Sequence, residues 1–425
     1  MKEMFPPVSV AAWEAQIQAD LKGADYEKRL VWKTPEGLAV RPYYTMETAP
    51  AAVALDGLTP WEAGEPEADI DAARWQDEGA TAVEELAFAL AAAVEIWEKP
   101  ALTVRFAVGP LFLLEIAKLR AARVLWNCVG AAFGRQPALH LHAVTARWNK
   151  SALDANNNLL RATGEALAAA LGGANTIAVR PEGMDARLAQ NLLLILREET
   201  HTHGVADPAA GAWYIEALTA MLGAEAWRRF QQVEAAGGFA AFRAGGALDA
   251  ALAAARGAKD AAVATRRATL VGVNNYPNPS EPLQECSENG WRAAGVFERI
   301  RMRTARHVAA GNACPTVLLL ELGDRRMSQA RAGFCRNFLG CAGFTIRESS
   351  CLEPADLTIL CGSDAEYMEL APRVLSEAQM PVVIAGYPKE HVAALEAAGV
   401  AGFVHLGSNL VETLEHWQNR LGVGV

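Results

Sequence analysis

From about Ile70 to Val273, short apolar runs alternate with long stretches in which apolar residues recur every three or four positions. The runs Leu102–Val108, Leu139–Thr145 and Thr176–Arg180 predict strands, and the stretches Ala82–Glu98, Leu111–Phe133, Asn156–Leu171 and Ala186–Glu199 predict helices. Strands alternating with helices imply a parallel sheet or barrel. Helices then dominate from Trp213 to Ala268, broken at Gly237-Gly238 and Gly245-Gly246. Upstream, Ser9 is placed to cap an amphipathic helix running to Leu21, with Trp13, Ile17 and Leu21 on one face. An extended stretch from Leu30 to Thr45 and an Ala/Gly/Pro-rich segment to about Glu67 complete this part.

Asn274–Pro282 holds three prolines and three asparagines, so it reads as a linker that propagates neither helix nor strand. A helix near Trp291–Val308 leads into five further strands: Thr316–Glu321, Phe344–Arg347, Leu357–Cys361, Val382–Ala385 and Gly402–Leu406. Helices starting near Ser328, Pro354, Ala365, Lys389 and Asn409 separate and follow them. Short, wholly apolar strands set between helices predict an α/β, doubly wound parallel sheet covered on both faces.

Composition narrows the function. The 425 residues are 52% hydrophobic and 21% charged, which fits two or three soluble globular domains. A net charge of −10 leaves no excess of Lys and Arg to neutralise phosphates, so neither nucleic acid nor an anionic membrane is expected as a partner. The most apolar stretch, Leu86–Trp97, is too short for a membrane span and contains Glu95, and the first ten residues carry no apolar signal core. Seven cysteines without a CxxC pair read as free thiols of a reducing cytoplasm.

Several segments resemble the methylmalonyl-CoA mutase family, in that family's order. Trp32-Lys-Thr-Pro-Glu-Gly37 and Arg41-Pro-Tyr-Tyr-Thr45 look like its N-terminal arm, and Glu78–Leu90 like the segment after its fifth barrel strand. Glu115-Ile-Ala-Lys-Leu-Arg-Ala-Ala-Arg123 with Leu125-Trp126, Asn156–Thr163, Glu165–Gly173 and Val271–Asn274 are nearly the family's own wording. The resemblance implies a β/α barrel that encloses an acyl-CoA, followed by a flavodoxin-like domain that grips cobalamin. In catalytic members cobalt–carbon homolysis starts a radical rearrangement. Many members pair such a large subunit with a small subunit that has lost the cofactor site.

The family's functional positions, carried over one at a time, are mostly altered. A histidine in an Asp-x-His-x-x-Gly loop ligates cobalt, yet no histidine lies between His307 and His391, and the ligand position falls near Ser328, its preceding Asp near Arg326. A hydroxyl lacks the nitrogen donor and is not ionised at neutral pH. Ala385-Gly-Tyr-Pro388 and Leu406-Gly-Ser-Asn409 stand where the family has more glycine around the nucleotide tail. The active-site Tyr-His pair maps to Ala73 and Arg74, a histidine to His142, which is kept, and a glutamine to Val144. The CoA-contacting Arg and Ser map to Ala101 and Thr103. No residue is therefore expected to be catalytic, to bind cofactor or to hold metal.

Only about two dozen residues separate Thr45 from Ile70, where the family runs through four barrel units. Four units need roughly half of the ~250 residues of a barrel, so only units like the fifth to eighth remain. The expected organisation is an arm (1–50), a truncated barrel (51–275), a linker and helix (276–312) and a flavodoxin-like domain (313–425). A half-barrel leaves two open strand edges and an uncovered face, which call for a partner. The resemblance implies a non-catalytic small subunit without bound cofactor, whose large catalytic partner carries adenosylcobalamin. The alternative is a divergent mutase, active with cobalamin, whose second copy completes the barrel. Other signals carry less. His201-Thr-His203 lacks a convincing third ligand, His142 reads as a hydrogen-bonded core histidine, and Gly172-Gly173 as a helix C-cap. Trp61, Trp75 and Trp97 read as packing residues, and Trp13 and Trp32 on the arm as interface anchors.

Overall fold

A computed structural model of the chain describes residues 8–281 and 290–424, so Pro282 and Cys286 lie outside the described residues. Two compact units emerge. One comprises residues up to 146 with 161–181 and 185–255; the other comprises 147–160, 182–184 and 256 onward.

In the first unit the Ser9 hydroxyl accepts the Ala12 N–H and starts α1 (Val10–Leu21), none of whose residues is buried. α2 (Tyr26–Leu30) precedes the stretch read as extended, which holds a hairpin of β1 (Trp32–Lys33) and β2 (Ala39–Val40). Next come β3 (Glu62–Ala63), β4 (Ile70–Asp71), α3 (Ala73–Asp77), α4 (Ala82–Val94), β5 (Ala101–Val108) and α5 (Phe112–Phe133). They are followed by β6 (Ala138–Thr145), α6 (Asn157–Leu171), β7 (Thr176–Ala178), α7 (Ala186–Glu198), α8 (Trp213–Ala235), α9 (Phe239–Ala244) and α10 (Ala247–Ala264), of which the start of α6 and the second half of α10 belong to the second unit. α4 begins with a capping box between Thr81 and Glu84, and α5 ends at Gly134, whose left-handed φ of +63° suits a residue without Cβ.

Five parallel strands form one sheet in the order β3-β7-β6-β5-β4. Side chains alternate across it. Leu102, Val104, Phe106, Leu141, Ala143 and Ile177 are buried, and several of them pack against Leu86, Leu90, Leu125 and Trp126 of α4 and α5. The other face carries Thr103, Arg105, Ala107, His140, His142, Val144 and Thr176. Two open strand edges and an uncovered face are expected of such a sheet. β3, inside the segment read as Ala/Gly/Pro-rich, pairs with β7, so the edges are the two-residue strands β3 and β4, and the connection between them passes from one edge of the sheet to the other. His142, Val144 and Ala107 are 0–1% exposed.

The second unit contains α11 (Gly295–Ala309), β8 (Thr316–Glu321), α12 (Arg325–Gly340), β9 (Thr345–Ser349), β10 (Leu357–Cys361), α13 (Tyr367–Glu377), β11 (Val382–Ala385), α14 (Val392–Ala397), β12 (Phe403–Val404) and α15 (Leu410–Arg420). Its parallel strands run β12-β11-β10-β8-β9. Phe297, Phe338, Leu414 and Trp417 pack on one face of the sheet, and Tyr367, Leu370, Val374 and Leu395 on the other. The helix expected near Pro354 is absent. The Asp356 N–H already donates to Thr316 at 2.9 Å and its carboxylate accepts the Thr316 N–H at 2.7 Å, so too few residues remain for a helical turn. The segment read as a linker is fastened at its start: Asn274 is fully buried, accepts the Leu270 N–H and donates to the Val263 and Ala268 carbonyls. No helix among the described residues is long and apolar enough to cross a membrane.

Candidate functional site

In the first unit the register lines up one polar residue from each strand: Asp71 beside Arg105, Arg105 beside His142, His142 beside Thr176, and Thr176 beside Glu62. Arg105 donates to Asp71 at 3.3 Å and to the Pro66 carbonyl at 3.2 Å. The Thr176 hydroxyl lies 2.9 Å from His142 Nδ1 and 3.0 Å from His140 Nε2. With one proton and two lone pairs, it can donate to at most one of the two rings. Burial, reinforced by the Arg105 charge, pushes His142 down to about 4. The imidazole is neutral at pH 7 and has no proton to give as an acid of ordinary strength.

The mapped family positions gather only in part. Thr103, His142 and Val144 share this face. Ala73 is fully buried at the start of α3, whereas the exposed Arg74 lies over the Trp75 ring at 5.2 Å. Ala101 is exposed at the start of β5. Neither Ala73 nor Val144 offers a donor to a substrate carbonyl.

Behind the sheet lies a charged cluster that sequence patterning missed. Lys118 Nζ meets Glu85 at 2.7 Å, Glu115 at 2.5 Å and the Ala107 carbonyl at 2.5 Å, and Gln76 donates to both carboxylates. Burial raises Glu85 to about 7 against the pull of Lys118. Burial lowers Lys118, but the two carboxylates outweigh it and hold the ammonium above its ordinary value. Arg120 pairs with Asp207 and Glu216. The motif Glu115–Arg123 thus turns its four charges inward, each at most 4% exposed. Glu115 and Lys118, three apart, were the available signal; their common partner Glu85 was not.

In the second unit the strand order reverses between β8 and β10, the place where doubly wound sheets open a ligand crevice beyond their carboxyl ends. Beside it, at the ends of β10 and β11, the chain's own side chains close over the backbone. The fully buried Tyr367 hydroxyl accepts from Arg331 at 2.7 Å and from the Gly362 N–H at 3.1 Å, and donates to the Ala385 carbonyl at 2.5 Å. The Arg331 guanidinium, also bound to Asp364 at 2.8 Å, covers Gly386 so closely that a Cβ there would sit 2.7 Å from it. The Glu366 carboxylate accepts the N–H groups of Asp324 and Ser363, both at 3.0 Å.

The segment from Leu322 to Arg331, read as the cobalt-ligand loop, becomes helical at Arg325, capped by Asp324. Ser328 is 3% exposed and its hydroxyl turns back to the Arg325 carbonyl at 3.2 Å. These residues do not fit a corrin: there is no nitrogen donor at Ser328, the Arg331 guanidinium lies against Gly386, and the Tyr367 hydroxyl is bonded to the Ala385 carbonyl. Among the described residues no three His, Cys, Asp or Glu side chains gather to hold a metal ion.

The family model for methylmalonyl-CoA mutase matches residues 67–313, more than half of the chain. The chain is 33% identical over 411 residues to the methylmalonyl-CoA mutase small subunit of Porphyromonas gingivalis, covering 84% of this chain and 66% of that protein. It is 31% identical over 401 residues to the small subunit of Streptomyces virginiae, covering 83% and 64%. To the large subunit of Streptomyces virginiae it is 34% identical over 268 residues, covering 55% and 36%. The chain spans just under two thirds of the length of these small-subunit relatives.

Proposed function

The chain belongs to the methylmalonyl-CoA mutase family, and we propose that within it this protein is a non-catalytic small subunit that binds no cobalamin and stabilises a catalytic large subunit. The partner would carry adenosylcobalamin and isomerise methylmalonyl-CoA to succinyl-CoA; this chain would supply surface, not chemistry. The observation that carries the reading is the crevice closed by Arg331 and Tyr367, with Ser328 in place of an imidazole. The altered positions Ala73, Arg74 and Val144 support it from the other unit.

The docking element would be the arm. Helix α1 buries none of its residues, Trp13 is 52% exposed, and Trp32 is 38% exposed on the hairpin. Trp13 also packs on Tyr43, whose hydroxyl donates to Glu14 at 2.6 Å, so the arm is ordered locally before any partner arrives. The six free cysteines among the described residues support a reducing cytoplasm as its compartment.

Co-expression with a large subunit of the family, followed by size-exclusion chromatography, tests the reading. A one-to-one complex is expected, with corrinoid absorbance that requires the large subunit. A chain that stays alone beside the large subunit, or that takes up stoichiometric cobalamin by itself, overturns it.

A further inference from the structure

The sheet of the first unit ends on two short strands that belong to one stretch of chain. On one edge the Glu62 N–H donates to the Asn175 carbonyl at 3.0 Å and the Gly64 N–H to the Ile177 carbonyl at 3.1 Å. On the opposite edge Ile70 and Asp71 pair with Val104 and Arg105. Four inter-strand gaps of about 4.8 Å make about 19 Å. The steps from Ala63 to Ile70 reach about 23 Å at full stretch. The connection therefore has little slack and takes a direct path, and the bond from Arg105 to the Pro66 carbonyl puts that path on the polar face.

The chain just before it is pinned as well. Arg123 donates to the Asp56 carbonyl at 3.2 Å and to the Gly173 carbonyl at 2.7 Å. Asn175 donates to the Gly57 carbonyl at 3.2 Å and to the Thr59 hydroxyl at 2.9 Å. Trp61 is 4% exposed and donates to the Thr202 hydroxyl at 3.3 Å. Arg123 is 2% exposed, and its hydrogen bonds go to neutral oxygens only. A buried guanidinium without a hydrogen-bonded carboxylate is costly, and here it holds three distant segments together.

We infer that Asp56–Asp69 is an internal seal: it takes the edge of β7 and crosses the polar face that two shortened sheets would otherwise offer each other. Only the two-residue strands β3 and β4 are then left as edges, and a second copy is not needed to cover the polar face. This rests on the sheet alone and stands or falls independently of the small-subunit reading.

Hydrogen exchange and sedimentation of the full chain test the seal. In the unaltered protein, peptides covering 60–68 are expected to exchange at least tenfold more slowly than an unstructured chain. Glu62→Pro removes the donor to Asn175. It should release that protection, leave 101–108 protected, and produce concentration-dependent self-association absent from the parent. Should that variant fail to fold, Arg105→Met decides: exchange should rise severalfold in 64–68 with β5 still protected. Free exchange of 60–68 in the parent beside a protected β5, an opened edge without new association, or an Arg105→Met variant with unaltered exchange would each overturn the inference.

Discussion

Lys118 and Glu85 meet at 2.7 Å with both side chains wholly withdrawn from solvent, and Glu115 makes the cluster two carboxylates to one ammonium. Removing the cation alone leaves two buried carboxylates facing each other. Lys118→Met should cost about 3–5 kcal/mol, the usual penalty for breaking one side of a buried pair. Urea unfolding followed by circular dichroism measures it, and a loss below 1 kcal/mol would show that the cluster relaxes without its centre.

The same cluster sets a pH dependence that another residue opposes. Glu85 is raised from 4.5 to about 7, so the folded state holds a proton that the unfolded state gives up, and stability falls as pH rises through that window. His142 is lowered from 6.5 to about 4, so the unfolded state binds the extra proton, and stability rises with pH between those values. Each slope reaches at most about 1.4 kcal/mol per pH unit, and in the parent they largely cancel. Glu85→Gln should therefore unmask stability that climbs from pH 4 to 6.5. His142→Gln should unmask stability that declines from pH 4.5 to 7. Chemical unfolding at half-unit pH steps reads both, and parallel curves for the two variants would refute the pairing.

Ser328→His restores an imidazole at the family's ligand position but not the room for a corrin. The side chain would start in the first turn of α12, where Ser328 is 3% exposed, while Arg331 and Tyr367 still block the crevice. No corrinoid absorbance should co-elute with this variant after incubation with excess cobalamin. Stoichiometric uptake would mean that the closed crevice opens readily.

Tyr367→Phe deletes the hydroxyl that links Arg331, the Gly362 N–H and the Ala385 carbonyl. Groups left buried without partners cost about 1–3 kcal/mol. The variant should lose stability of that order by urea unfolding while its far-ultraviolet circular dichroism stays that of the parent. An unchanged midpoint would mean that solvent reaches the crevice.

Periodicity alone marked the strands Thr316–Glu321, Leu357–Cys361 and Val382–Ala385 and placed α4 to α7 within a few residues, because both rhythms are local consequences of burying one face. The motif order carried the family, and the missing histidine was visible by inspection. Contacts between distant residues were not. Nothing near Glu62 announces that its N–H will find Asn175, and nothing near Arg331 announces Tyr367, because such bonds exist only once the backbone has brought segments together. Only the tertiary structure showed that β3 pairs with β7 and that Arg331 and Tyr367 meet beside Ala385 and Gly386. A pattern along the chain records which side chains must leave water; where the polar remainder finds partners is settled in three dimensions, by the requirement that no buried donor or acceptor stay unpaired at a cost the fold cannot bear.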